Sequence, residues 1–149
     1  MKNILAISLL LFAACGAGRR GSIPDGPVTF QVILAGPYSQ AEEHSIKLIT
    51  NEKDWEATWL VAKGNEEPLP NRPTVDFGRE YVIAAFMGTR PSSGFKIEIM
   101  SVNKKGDALK VHVKKYETPG MLPVVTHPFS LVRVPKGKYK LEVSEESVQ

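Results

Sequence analysis

Cysteine is almost missing from this chain: Cys15 is the only one in 149 residues. No intramolecular disulfide can form, and no Cys-His enzyme can be built from the residues beyond it. Histidine is scarce as well. His44, His112 and His127 stand in a loop, on the expected wet face of a strand, and just ahead of a proline. No two of them have metal-ligand spacing, so they read as surface or capping residues. A serine nucleophile wants a G-x-S-x-G turn between strand and helix, whereas Ser92-Ser93-Gly94 joins two strands. Asp25, Asp54, Asp76 and Asp107 fall in a linker, a helix start and turns, where each has a structural use. With no phosphate-cradling glycine loop and no paired carboxylates on one face, no catalytic residue, metal or cofactor is expected.

A strong charge of either sign is also lacking, with Lys plus Arg at 19 and Asp plus Glu at 16. Basic residues alternate with apolar ones along strands instead of clustering with aromatics, which argues against a nucleic-acid partner. Lys96, Lys110, Lys114, Lys138 and Lys140 read as a solvated sheet face, with weak attraction for anionic surfaces as the sharper alternative.

Long apolar runs are missing too. The longest, Ile4 to Ala14 with only Ser8 polar, is about half of the roughly 20 residues a helix needs to span a bilayer. Lys2 precedes it and small residues follow, so residues 1–14 read as a signal peptide. Its end, Leu11-Phe12-Ala13-Ala14-Cys15, resembles the lipobox of bacterial lipoproteins, which implies a diacylglycerol on Cys15 and cleavage ahead of it; the alternative is an ordinary signal peptide with an incidental cysteine. The likeness implies a protein of the cell envelope, lipid-anchored to a bacterial membrane on its periplasmic or surface side. Residues 15–27 contain GAGRRGSIPDGP and read as a flexible tether. Residues 28–145, in a chain of 42% hydrophobic composition, suffice for one core.

Within that domain the periodicities predict about seven strands and one helix. VTFQVIL (28–34), SIKLIT (45–50), YVIAAFM (81–87), GFKIEIMSV (94–102), ALKVHVKKY (108–116), FSLVRV (129–134) and KYKLEV (138–143) read as strands. YVIAAFM is apolar on both faces and is expected to be central; the next two strands alternate, with Phe95, Ile97, Ile99, Leu109, Val111 and Val113 inward. Asn103 to Asp107 is the expected turn between them, Tyr139, Leu141 and Val143 are expected on a buried side, and SEESVQ is expected to fray. Asn51 caps a helix reaching Lys63, with Trp55, Trp59 and Ala62 on one face and Gly64 as its stop. The expected fold is a β-rich α+β domain, a single antiparallel sandwich or barrel-like sheet with the helix packed on it.

The connection GTRPSSGF (88–95) is longer than a tight hairpin needs. Two glycines and a proline make it stiff, and Arg90 has no structural use in it, so Gly88, Thr89, Arg90, Pro91, Ser92, Ser93, Gly94 and Phe95 form the candidate partner-contact loop, with Arg90 and Phe95 as anchors. Phe95 also alternates with Ile97 and Ile99, which turns it toward the core.

Several fragments occur in one order: Gly36-Pro37-Tyr38-Ser39, Trp55 and Trp59, Pro73-Thr74-Val75-Asp76-Phe77, Tyr81 to Phe86, Gly88-Thr89-Arg90-Pro91 through Phe95, and Thr126-His127-Pro128-Phe129. This order resembles the C-terminal domain of the protease complex subunit PrcB family over about Val28 to Val143. Where that family has a glycine pair in the loop, this chain has Ser93-Gly94, and Glu117 to Val125 lacks a cysteine frequent in relatives, which removes any redox role. The resemblance implies a non-catalytic lipoprotein subunit that binds or helps assemble a partner protein, a peptidase first among candidates. Arg90 to Phe95 is also similar to the loop with which chagasin-type inhibitors enter papain-like proteases, so a peptidase inhibitor stands as an alternative, as does a structural lipoprotein with no dedicated partner.

Overall fold

A strand with no polar face has to be covered twice, and Tyr81 to Met87 imposes that demand on everything around it. The computed structural model describes residues 23–149; the expected signal peptide, Cys15 and the first part of the expected tether lie outside the described residues. In chain order the elements are β1 (Gly26–Pro27), β2 (Gln31–Gly36), β3 (Ser45–Ile49), α1 (Glu52–Lys63), β4 (Glu80–Phe86), β5 (Lys96–Lys105), β6 (Ala108–Tyr116), β7 (Phe129–Pro135) and β8 (Lys140–Val148). They form two four-stranded sheets, β2-β7-β4-β3 and β1-β5-β6-β8.

The sheets face each other across a core in which Ile83, Ala85, Met87, Val132 and Val134 meet Ile97, Ile99, Leu109, Val111 and Val113. The alternate residues of β4 and β7, namely Val82, Ala84, Phe86, Phe129 and Leu131, point the other way and are covered by Trp55, Trp59 and Ala62 of α1. The order of layers is therefore helix, sheet, sheet. As the sequence pattern predicts, β4 is central, between β7 and β3, and apolar on both sides because both sides are dry.

The helix starts where Asn51 stands: its Oδ1 accepts from the Asp54 amide at 2.9 Å. Trp55 is fully buried and Trp59 nearly so. Their Nε1 groups donate to the Pro73 and Pro70 carbonyls at 3.0 and 3.1 Å, which ties the proline-rich return segment to the helix.

The expected strand list needs four corrections. Among the described residues there are eight strands, the extra one being β1, where Gly26 and Pro27 pair with Lys104 and Asn103. The last residues of the expected tether are thus part of the sheet, and Asp25 accepts from Lys104 Nζ at 2.9 Å and from the Gly106 amide at 3.0 Å. Second, the sheets are not closed into a barrel, and pairing is not wholly antiparallel: β6 and β8 run parallel. The strand between them, β7, leaves for the helix-covered sheet, where Phe129 and Leu131 find the tryptophans, so β8 returns to β6 on the same heading. Third, SEESVQ does not fray. β8 runs to Val148, past the expected domain edge at 145, because its carboxylates meet β6 lysines: Glu145 lies 3.1 Å from Lys115, and Glu142 and Glu146 lie 4.0 Å from Lys110 and Lys114. Val143 is correspondingly exposed, not buried. Fourth, the β5–β6 turn is only Gly106-Asp107, with Gly106 at φ +62°, the positive φ that a glycine-first hairpin turn requires. A register shift between Ile99 and Ser101 leaves Met100 facing solvent and turns Val102 back into the core.

Candidate functional site

The loop after β4 has to carry the chain from one sheet to the other, and each of its residues is fixed by a neighbour. Gly88, at φ +78°, lies so close to the 42–44 segment that a Cβ would stand 2.9 Å from the His44 nitrogen. Thr89 donates its amide and its hydroxyl to the Glu42 carbonyl, at 3.0 and 3.2 Å. Arg90 and Thr126 exchange both backbone hydrogen bonds, at 2.8 and 2.9 Å. The buried Thr126 hydroxyl donates to the Ser92 carbonyl at 3.0 Å.

Past Pro91 the loop leans on residues 118–122. The Ser93 amide donates to the Leu122 carbonyl at 3.0 Å, its carbonyl accepts from the Gly120 amide, and its hydroxyl accepts from the Leu122 amide at 3.2 Å. Gly94, at φ +94°, passes so near this segment that a Cβ would sit 2.5 Å from the Thr118 carbonyl oxygen. Among the described residues no residue other than glycine has positive φ. Ser93, which stands where the PrcB pattern has a glycine, therefore costs no strain and adds a hydrogen bond through its hydroxyl.

The result is a double loop, 88–95 against 118–126, held by backbone hydrogen bonds. What it presents is apolar: Met121 is fully exposed, Leu122 is 64% and Val125 56% exposed, beside the outward-facing Pro91 and Pro123. Residues 37–39 run alongside, the His127 amide donating to the Pro37 carbonyl at 2.8 Å and the Ser39 amide and hydroxyl donating to the His127 carbonyl at 3.1 and 2.9 Å. This brings the half-exposed Tyr38 to the same end. A shallow notch of about 300 Å³ opens between Gly36, Pro37, Phe95 and Phe129.

Three fragments that carry the PrcB resemblance, around Gly36 to Ser39, Gly88 to Phe95 and Thr126 to Phe129, are far apart in the chain and meet here. The two residues singled out as anchors are placed differently from one another. Arg90 is half-buried, donates Nη1 to the Thr89 carbonyl at 2.8 Å and lies 6.0 Å from the centre of the Phe95 ring, so its guanidinium is folded over its own loop. Phe95 is half-buried against the inter-sheet core, as its alternation with Ile97 predicts. Sequence reasoning passed over Met121, Leu122 and Val125. The signal was present, since GMLPVV is a run of apolar residues interrupted by proline inside a connection, with neither strand alternation nor helical period to bury it.

Two of the three histidine side chains have structural partners. His44 bonds the Phe86 carbonyl at 2.8 Å and Glu145 at 3.1 Å, and His112 bonds Ser144 at 3.1 Å and Glu146 at 3.3 Å. Among the described residues no group of three or more His, Cys, Asp or Glu could hold a metal ion, and no helix is long and apolar enough to cross a membrane.

No match was found among the curated proteins or among the solved structures. The family model described as PrcB C-terminal matches residues 81–135. That span starts in β4, ends with β7 and takes in both halves of the double loop, and over these residues the chain is similar to the PrcB C-terminal family.

Proposed function

We propose that this protein is a non-catalytic lipoprotein of the bacterial cell envelope, anchored through Cys15, that holds a partner protein by the double-loop end of its sandwich, the partner being a peptidase of the kind a protease complex subunit serves. The observation that carries the reading is a rigid apolar tip. Met121, Leu122 and Val125 stand in solvent on a segment whose backbone is pinned to Ser93 and Arg90. An exposed apolar cluster that is already ordered loses little entropy on docking. The family match, which covers both loops, supports a protease-complex subunit in the coarse sense.

The test is affinity recovery from native envelopes followed by a peptidase activity measurement on the eluate. The parent protein brings down an active peptidase, whereas Leu122→Asp, on a side chain that supports no core, melts like the parent and recovers none. Recovery of the same peptidase in equal yield by Leu122→Asp overturns the contact role of the tip. Loss of the peptidase's activity on adding the purified protein identifies an inhibitor instead. For the anchor, Cys15→Ser releases the protein from membranes and leaves a slower-migrating precursor.

A further inference from the structure

We infer that the end of the sandwich opposite the double loop rests on an anionic phospholipid surface, an inference that builds on the proposed anchor. At that end the Gly106-Asp107 turn, the start of β4 and the β7–β8 connection surround an open cavity of about 920 Å³. Ile23 and Tyr81 supply apolar lining, Arg79, Lys104, Lys136 and Lys138 stand around it, and the acids at this end are Asp107 in the lining with Asp25 and Asp76 beside it. Three cations are tied back: Lys104 Nζ donates to Asp25 at 2.9 Å, Arg79 lies 3.6 Å from Asp76, and Lys136 donates to the Phe77 carbonyl at 2.9 Å above the Tyr81 ring. Among the described residues Lys105, Lys136 and Lys138 form no ion pair, and Arg79 keeps most of its side chain in water. Positive charge therefore outweighs negative around an apolar lining, which suits a surface of phosphate headgroups over acyl chains.

The path of the chain makes a membrane the occupant. Ile23 lines the cavity, and eight residue steps separate it from Cys15. Whatever their conformation, those steps can reach no farther than about 28 Å. A lipid on Cys15 keeps the cavity near the bilayer, while the double loop stands a strand's length away, β6 alone spanning roughly 30 Å. Each cation brought to an anionic surface strengthens binding about five-fold.

The experiment uses the mature lipoprotein, reconstituted into vesicles of phosphatidylcholine alone or enriched in phosphatidylglycerol. A fluorophore sits on Asp107→Cys or on Met121→Cys, and a headgroup-attached quencher is included. On phosphatidylglycerol the label at 107 is quenched and the label at 121 is not; on phosphatidylcholine neither is. Arg79→Gln with Lys136→Gln and Lys138→Gln cuts the docking equilibrium constant on the order of 100-fold, while Lys47→Gln with Lys96→Gln and Lys114→Gln, which removes equal charge away from that end, leaves it intact. Equal quenching of 107 on both vesicles, or equal loss in both triple variants, overturns the inference. Flotation separates the two ideas: a protein that floats with both vesicles but shows no quenching at 107 is anchored and undocked. One that floats with phosphatidylglycerol alone docks without an anchor, and one that floats with neither removes both.

Discussion

The two sheets face the same core, yet they solve opposite problems. In the sheet β2-β7-β4-β3 the central strands β4 and β7 are dry on both sides, apolar at nearly every position, and dependent on α1 to cover the outer face. The sheet β1-β5-β6-β8 is wet outside, and its outer face is held by charge across strands: Lys110 with Glu142, Lys114 with Glu146, Lys115 with Glu145. Apolar burial contributes far more per residue than exposed ion pairs, so stability should reside in the first sheet and be expendable on the outer face of the second.

The sharpest way to break this contrast is at the tryptophans. Trp55→Ala or Trp59→Ala should cost about 3 to 5 kcal/mol in urea unfolding, enough to unfold a marginal domain, since each empties the layer over β4 and β7. Lys110→Ala, on the wet face, should stay within about 0.5 kcal/mol of the parent. Similar costs at both positions would end the distinction. Next in size is the junction between the sheets: Gly94→Ala should cost about 1 to 3 kcal/mol, because φ is +94° there and a Cβ would press on the 118–120 backbone. Its loss of partner recovery should exceed what the drop in melting temperature explains.

Arg90→Ala should cost under about 1 kcal/mol, the value of an exposed cation–π contact. If partner recovery survives it, the guanidinium only ties the loop to Phe95 and the apolar tip alone makes the contact. The smallest effect lies where the sheets are bridged by His44, which joins the β4 carbonyl of Phe86 to Glu145 of β8. Burial pushes the Glu145 carboxyl up, but hydrogen bonds from His44 and Lys115 outweigh it, and the group titrates below its ordinary value. A carboxyl with a lower pKa folded than unfolded stabilises the protein above the ordinary carboxylate range and loses that contribution as the pH falls through its folded value. Glu145→Gln should therefore cost about 0.5 kcal/mol near neutrality, with the gap to the parent closing in urea midpoints as the pH falls below the ordinary carboxylate range.

The sequence foretold most clearly what local pattern decides. The Asn51 cap, the Trp55 and Trp59 face and the double-sided burial of β4 all follow from spacing within a few residues. Three features were hidden because a distant segment creates them. SEESV looks like a fraying tail until the lysines of β6 lie beside it, and Pro27 joins a sheet only because Lys104 and Asn103 offer an edge. The Met121 tip reads as an ordinary connection until Ser93 and Arg90 are seen to lock it in solvent. At the 88–95 loop the stiffness was readable from its glycines, but the guanidinium's fold back onto Thr89 and Phe95 was not.

The parallel pairing of β6 with β8 sets a timetable for folding. The β5–β6 hairpin closes through a two-residue turn and can form as soon as it emerges, but one long ladder of β6 stays bare until Lys140–Val148 arrives by way of the other sheet. Until then, that bare ladder is the chain's open flank, able to pair with any extended segment nearby. Loop closure over so many residues is slow, so the final strand acts as a late clasp. A chain truncated before Lys140 should keep its hairpin and its helix-covered sheet while becoming prone to self-association.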